Sequence, residues 1–281
     1  MAATNSALRR WADLCTTDFP ALDPVRTVAV LPVAAIEQHG PHLPLSVDAD
    51  LVEGVLAAAG PHLPADCPAY LLPTQSVGLS PEHQRFPGTL TLRPETVLRL
   101  WTEIGESVAR AGLRKLLIFN SHGGHAGIMD LVARDLRTRL DLLVYSASWF
   151  NLPLLDETGQ DLNARFSAAE HRFGIHAGQI ETAMMLALRP EAVRMECARD
   201  FASTSQQRAE CYSILGNGRS AKLAWQMQDD HPQGAVGNAA AADAATGREL
   251  VEAAGRSLAQ LLQEFSELPL STLVERPDLH G

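Results

Sequence analysis

The stretch TVAVLPVAAIEQHGPHLPLSVD, residues 27–48, is the most informative part of the sequence. Its first nine residues are almost all apolar, which is typical of a strand buried on both faces of a parallel sheet. A loop rich in histidine follows directly, and Pro41 and Pro44 restrict its backbone. Ligands of open parallel sheets bind beyond the carboxyl ends of the strands, so this loop is a candidate binding segment.

The downstream sequence alternates short apolar runs with amphipathic stretches, which predicts an α/β fold with a mainly parallel sheet. Val97, Trp101 and Val108 recur at helical spacing, with Pro94 near the predicted helix start and Gly112 just past its end. Other predicted elements are helices over 50–59, 127–140 and 238–265 and strands over 27–35, 69–75, 113–120 and 142–146.

The bulk composition indicates a single globular domain over residues 1–281. The sequence contains no repeat or linker, and the polar segment 151–172 is predicted to be irregular, a candidate lid. A net charge of −10 without a basic patch argues against nucleic acid as a partner. No stretch approaches the ~18 apolar residues of a membrane span. We therefore expect a small-molecule partner.

The cysteines and the start of the chain bear on the compartment. Residues 1–19 have no uninterrupted apolar region, so a secretory signal is not expected. Four scattered cysteines without a C-x-x-C pair argue against a disulfide framework or a thiolate zinc site. The sequence therefore predicts a cytoplasmic protein. These cysteines are Cys15, Cys67, Cys197 and Cys211.

Glu37 and His39 form the first candidate metal site. They are two residues apart, so in an extended backbone both side chains lie on one face. An oxygen and a nitrogen donor suit zinc or manganese. Asp48 follows the loop and has two oxygens, enough to bridge two metals. Alternatively Asp48 caps the next helix.

The segment NSHGGH, residues 120–125, supplies the second candidate. His122 lies just past a predicted strand, where it can reach a metal held by the first loop. Gly123 and Gly124 allow a ligand to approach the backbone closely. A dinucleotide loop is the competing interpretation, but the G-G-x-x-G spacing that ends at Gly127 differs from G-x-G-x-x-G. The metal interpretation is the stronger one.

The segment HAGQIET, residues 176–182, is the third candidate. If a helix begins near Gly178, Glu181 heads an otherwise apolar face that includes Met184 and Met185. A carboxylate there needs a partner or a metal, although a glutamate in the first turn also favours the helix dipole. His176 precedes it by about one turn. Ser80, Glu82 and His83, in the constrained loop 78–89, are candidate substrate contacts.

Together these segments resemble the creatininase (creatinine amidohydrolase) family. The resemblance extends from about residue 28 to residue 247 and includes GLSPEHQRFPGT and the late GAVGNAAAADAATG. It implies a three-layer α/β/α fold, a binuclear metal site and a homo-oligomer, commonly a hexamer. Family members hydrolyse cyclic amides, formamides or a peptide bond.

The resemblance also implies roles for single residues. Glu37 and His122 would hold one metal and His39 the other, with Asp48 bridging them. His176 matches the family's catalytic histidine and Ser80 a substrate-contacting serine. In creatininase a glutamate two residues after the second-motif histidine completes the second site. Here that position is Gly124, and Glu181 is the candidate replacement, as ligand and catalytic carboxylate.

The creatininase tryptophan and aspartate that shape the creatinine pocket fall on Arg172 and Phe173, so the pocket differs from one built for creatinine. We therefore expect a metal-dependent amidohydrolase acting on C–N bonds other than peptide bonds. Two divalent ions, zinc, manganese or iron, would activate water. Backbone N–H groups of Gly123 and Gly124 would bind the substrate oxygen, and His176 would carry the proton.

Two other functions stay open at this point. The first is a family member that opens a non-amide ring, such as a cyclic ketone or a lactone. The second is a catalytically silent metal-binding subunit, for which the glycine at position 124 is the only support.

Overall fold

A five-stranded parallel sheet lies at the centre of the chain, which the computed structural model describes over residues 8–274. The strand order is β1-β3-β2-β4-β5. Both ends of the predicted 1–281 domain, and the first seven residues of the segment considered for a secretory signal, lie outside the described range. The strands are β1 Arg9–Arg10, β2 Val28–Val33, β3 Ala69–Leu71, β4 Lys115–Asn120 and β5 Leu143–Ser148.

Helices cover both faces of this sheet, which makes the fold a three-layer α/β/α arrangement. Val28 and Val30 of β2 pack into a cluster with α1, α5 and α8. Leu31 and Val33 point the other way and pack with α2 and α3. The helices are α1 Val47–Ala59, α2 Pro94–Arg110, α3 Ala126–Leu140, α4 Ala168–Phe173, α5 Gln179–Leu188, α6 Thr204–Cys211, α7 Met227–Asp230 and α8 Ala244–Glu267.

The two central strands are apolar on both faces because neither face meets water. Every residue of β2 and β4 is buried. Each large side chain buried in this way contributes about 1.5–3 kcal/mol to stability. The polar exceptions are the first and last residues of β4, Lys115 and Asn120, and Lys115 Nζ donates a hydrogen bond to the Ser266 carbonyl oxygen at 2.7 Å. That carbonyl belongs to the last turn of α8, where helix carbonyls lack partners within the helix.

The predicted fold class is confirmed, and several predicted boundaries need correction. α1 begins at Val47, three residues before the predicted start, which places Asp48 in its first turn. β3 is shorter than predicted because Pro73 has no N–H to donate to the sheet. The prediction that the last helix starts at residue 238 is wrong. Asp243 accepts hydrogen bonds from two N–H groups of the first turn and starts α8 at Ala244.

A small second sheet was not predicted. β6, Asp200–Phe201, pairs antiparallel with β7, Gly237–Asn238. Strands of two residues carry no periodic signal, so the pattern of apolar residues could not reveal them. β7 occupies the residues that were assigned to the start of the last helix.

The predicted irregular segment 151–172 is partly helical, and the prediction is wrong over α4. Ser167 accepts a hydrogen bond from the Glu170 N–H at 3.0 Å and starts this helix. Leu162, Phe166 and Glu170 are buried. Within the segment these three side chains pack into the protein rather than facing solvent.

Within residues 8–274, every helix is too short or too polar to cross a lipid bilayer. The four cysteines, all within that range, are free thiols.

Candidate metal centre

The loops that follow β2, β3 and β4 meet at the carboxyl edge of the sheet, as the sequence predicts. They surround a cavity of about 460 Å³. One wall is polar and includes Glu37, Asp48, Glu82, His83, His122, His176 and Glu181. Apolar side chains also line the cavity and include Trp149, Phe150, Ile175, Ile180 and Trp225.

Glu37 lies at the centre of the polar wall. Its Oε1 is 3.3 Å from His122 Nδ1 and 3.3 Å from His83 Nε2. The side chain is 1% exposed, and neither carboxylate oxygen has a hydrogen-bond partner among the described residues. A buried carboxylate without partners is costly, so this arrangement fits a bound cation.

Asp48 lies between two of the histidines. Its Oδ1 is 3.9 Å from His39 Nε2, and its Oδ2 is 3.5 Å from His122 Nδ1. The capping alternative for Asp48 is wrong because Ser46 occupies the N-cap position of α1 and no side chain caps this helix. With one oxygen towards each histidine, Asp48 has the position that a bridging ligand requires.

The hydrogen bonds of three histidines fix which ring nitrogen has a free lone pair. His39 Nδ1, His122 Nε2 and His176 Nε2 each donate to a backbone carbonyl, at 3.0, 3.0 and 2.8 Å. A carbonyl only accepts, so the proton lies on that nitrogen. The opposite nitrogens, His39 Nε2, His122 Nδ1 and His176 Nδ1, each lie within 4.0 Å of Glu37 Oε1. This orientation by backbone groups is typical of metal-binding histidines.

Glu181 adds a third carboxylate from the first turn of α5. One of its oxygens accepts the Ala177 N–H at 2.6 Å. Ligand atoms of His39, Asp48 and Glu181 lie within 4.8 Å of one another. Two more groups with the same spacing are Glu37, His39 and His176, and Glu37, Glu82 and His122. Imidazole nitrogens with carboxylate oxygens suit zinc, manganese or iron.

The pKa values describe how the metal-free cluster distributes its protons. Burial and the charge of Glu37 raise the pKa of Asp48 well above its ordinary value. Burial opposes the charge of His122, but the Glu37 carboxylate outweighs it and raises the pKa of His122 well above 6.5. Burial lowers the pKa of His39 to about 3 and that of His83 to about 2. Protons on Asp48 and His122 therefore supply the positive charge that a divalent ion would supply.

A side chain at position 124 would displace neighbouring side chains from their present positions. A Cβ atom on Gly124 would lie 2.3 Å from Glu82 Oε1 and 2.4 Å from His122 Nε2. A Cβ atom on Gly123 would meet nothing within 4 Å. Glu82 was only a minor candidate in the sequence, where the SPEH segment was its sole signal.

Ser80, the predicted substrate contact, lies behind His122 and is fully buried. Its Oγ is 3.5 Å from His122 Nε2, and its N–H donates to Thr91 Oγ1 at 2.8 Å. Ser80 is not among the residues that line the cavity. Its place indicates support of the His122 ring rather than contact with a ligand.

Asn120 holds the second loop in shape. Its Oδ1 accepts the His122 N–H and His125 Nδ1–H, each at 3.0 Å. Its Nδ2 donates to the His122 carbonyl at 2.7 Å. His125 Nε2 accepts the Leu79 N–H at 3.0 Å and so connects this loop to the one that follows β3. His125 is thus a structural residue of the site.

The loop before α5 is held by a buried carboxylate that the sequence did not reveal. Glu170 accepts the Gln179 N–H at 2.6 Å and the Asn238 N–H at 2.9 Å. Inside the loop, Ala177 adopts φ 53°, a left-handed conformation that residues other than glycine rarely adopt. The His176 carbonyl accepts the Val236 N–H at 2.9 Å. These contacts fix the histidine between them.

The family model described as creatinine amidohydrolase matches residues 12–262. The chain is 31% identical over 230 residues to the mycofactocin precursor peptide peptidase of Mycobacterium tuberculosis (strain CDC 1551), which covers 80% of each protein. It is 29% identical over 181 residues to the creatinine amidohydrolase of Pseudomonas putida, over 60% of this chain and 67% of the relative.

The solved structures show the same fold. A mutant creatininase of the Zn-Zn type superposes with a TM-score of 0.70 at 23% identity, over 92% of this chain and 98% of that one. This similarity concerns the arrangement of strands and helices.

Proposed function

The chain belongs to the creatininase family of hydrolases that act on C–N bonds, and we propose that it is a metal-dependent amidohydrolase for a small cyclic amide, a formamide or a related amide. The observation that supports this most is the set of unpartnered, buried ligand atoms on Glu37, His39 and Asp48. Their cost to folding is explained if cations occupy the space between them.

We assign two metal ions to the centre. Glu37 and His122 would hold one, His39 and Glu181 the other, and Asp48 would bridge them. Glu181 would take the place of the glutamate that is missing at position 124. The donor set accepts zinc or manganese, with iron as a further candidate.

When bound, such metals lower the pKa of a coordinated water towards neutrality and polarise a carbonyl group. His176 presents its Nδ1 lone pair 3.8 Å from Glu37 Oε1, where it can accept a proton and return it to the leaving nitrogen. Glu181, in addition to its role as a ligand, would be the catalytic carboxylate of the reaction. The N–H groups of Gly123 and Gly124, which line the cavity, would donate to the substrate oxygen.

A peptide bond is the second candidate substrate. The cavity of about 460 Å³, whose lining includes Trp149, Phe150 and Trp225, has room for a ligand larger than a single small ring. The similarity to a protein named as a peptide peptidase agrees with this candidate. An apolar side chain next to the scissile bond would contact these aromatic side chains.

The expected compartment is the cytoplasm and the expected assembly a homo-oligomer. Free thiols suit a reducing compartment. Tyr212, Ile214, Leu215 and Leu223 are each more than half exposed, and such a concentration of apolar side chains in one segment favours a protein contact. Sedimentation velocity on the full chain would measure the assembly state.

The test of the proposed function combines metal content with a substrate panel. Elemental analysis of protein purified without added metal or chelator should give about two metals per chain. Lactams, formamides and short peptides should then be screened for the appearance of a free amine. His176→Ala should retain the metals and lose turnover. A protein that takes up neither zinc nor manganese, or that hydrolyses no amide with metals bound, would contradict the proposal.

A further inference from the structure

Two histidine rings, tilted by 33° to each other, pack together beside Glu37 but present different atoms to it. The ring centroids of His83 and His176 lie 4.3 Å apart. His83 Nε2 is 3.3 Å and His176 Nδ1 3.8 Å from Glu37 Oε1. His176 carries its proton on the far nitrogen, where it donates to the Gln38 carbonyl. It therefore presents a lone pair to the centre.

Gln38 determines the proton position of His83. The Gly40 N–H donates to Gln38 Oε1 at 3.0 Å, which identifies that atom as the oxygen of the amide. Gln38 Nε2 therefore faces His83 Nδ1, at 2.8 Å, and donates to it. A Cβ atom on Gly234 would lie 2.0 Å from Gln38 Oε1, so the amide is closely packed. Because its Nδ1 accepts this hydrogen bond, neutral His83 carries its proton on Nε2.

We propose that His83 is a further catalytic residue, which donates its Nε2–H to the substrate carbonyl oxygen as negative charge develops there. Gln38 is the positioning residue that fixes this tautomer. The inference rests on the proposed amidohydrolase function. It adds a side-chain donor to the backbone N–H groups of Gly123 and Gly124.

The surroundings of His83 support a donor role. Its side chain is 2% exposed and lines the cavity, and a donor shielded from water stabilises developing charge more strongly. The lone pair of His176 and the N–H of His83 complement each other, since the reaction needs a proton acceptor and a hydrogen-bond donor at one carbonyl. This pair of rings would supply both the proton acceptor and the hydrogen-bond donor.

Kinetics of the full-length, metal-loaded protein form the first test. His83→Phe should lower kcat about 10²–10³-fold, the usual effect of removing one oxyanion donor. KM and metal content should change less than about twofold, because in this proposal His83 neither binds the substrate before the reaction nor coordinates a metal. His62→Phe is the control, since His62 pairs with Glu252 on the surface. An unchanged kcat in His83→Phe would overturn the catalytic role.

The second test reads the tautomer directly. In Gln38→Glu, one carboxylate oxygen should keep the hydrogen bond from the Gly40 N–H, and the other should accept a hydrogen bond from His83 Nδ1–H. Neutral His83 would then carry its proton on Nδ1 instead of Nε2. In protein labelled with [¹⁵N]histidine, the His83 signals, assigned by their loss in His83→Phe, should show protonated Nε2 in the wild type and protonated Nδ1 in Gln38→Glu. A wild-type signal with protonated Nδ1 would overturn the proposal, as would full kcat in a Gln38→Glu protein whose tautomer has switched.

These readouts separate this inference from the function it rests on. If the wild-type protein hydrolyses no amide, the proposed function fails and the catalytic role of His83 fails with it. The nitrogen shifts would still decide whether Gln38 fixes the tautomer. If the wild type hydrolyses amides and His83→Phe does so equally well, only the inference fails.

Discussion

Glu82 Oε1 lies 3.3 Å from His122 Nε2, the nitrogen opposite the one that faces Glu37 and Asp48. This carboxylate, from the loop that follows β3, lies where a side chain at position 124 would begin. This arrangement agrees with the proposal that Glu181, rather than residue 124, completes the second metal site.

Substitution of Gly124 tests this packing. Gly124→Ala should displace Glu82 or the His122 ring, because the new Cβ atom would lie within 2.4 Å of both. We expect lower metal content and at least a tenfold loss of turnover, which corresponds to about 1.4 kcal/mol. The matched control is Gly123→Ala, where the new atom meets nothing within 4 Å. Equal metal content and rates in the two variants would show that the site tolerates the displacement.

Asp48→Asn tests the bridging ligand. The substitution keeps the side-chain size and should reduce the metal content from about two ions per chain to fewer than one. Asp50→Asn is the matched control in the same helix turn, since Asp50 contacts Arg189 and Ser46 instead. Inductively coupled plasma mass spectrometry on both variants decides the prediction. It is contradicted if Asp48→Asn keeps two metals.

Metal uptake should release protons and strengthen as the pH rises. The pKa values of Asp48 and His122 are raised in the metal-free protein, so its folded state holds protons that the unfolded state has lost. Stability of the metal-free form therefore falls as the pH rises above 6.5 through the raised pKa of His122. Metals displace these protons, so the Tm difference between loaded and metal-free protein should widen from about pH 6 to about pH 8.

Calorimetry in buffers with different ionisation enthalpies would count the released protons. At least about one proton per chain should be released near neutral pH. Binding without proton release, or an affinity independent of pH, would mean that His122 is neutral before the metal binds.

Glu170→Gln tests the support of the loop that carries His176. A glutamine has one oxygen and cannot accept both the Gln179 and the Asn238 N–H groups. The lost bond leaves a buried N–H facing an amide NH₂, which costs about 1–3 kcal/mol of unfolding free energy. Chemical denaturation measures that loss. Glu157→Gln, a change at an exposed position, is the control.

The same variant should lower kcat more than it changes KM, since the imidazole of His176, the proposed base, would lose its fixed position. A Glu170→Gln protein with wild-type stability and kcat would remove Glu170 from the support of His176.

The sequence predicts the apolar frame of this fold well, because strands and helices buried on one or two faces follow regular periods. The helix with Val97, Trp101 and Val108 begins and ends where its proline and glycine indicate. β2 and β4 also follow their apolar runs. Errors occur where short polar elements depend on tertiary contacts, as in α4 and β7.

The candidate site shows the same division. Glu37, His39, Asp48 and His122 carry local signals of spacing and residue type, and the structure brings their ligand atoms together, with all but His39 lining the cavity. Gln38 and Glu170 act through hydrogen bonds to residues as far away as His83 and Asn238, and such bonds leave no periodic trace. His83 was predicted only as a candidate substrate contact.

The backbone conformation of Ala177 has a consequence for the stage of folding at which activity appears. Its left-handed backbone costs about 1–2 kcal/mol that local sequence does not supply. The neighbouring His176 is held by Gln38, 138 positions earlier, and by Val236 in the late part of the chain. Domains rich in contacts between such distant segments fold slowly. We expect activity to appear only after these long-range contacts have formed, so that activity itself reports completion of the fold.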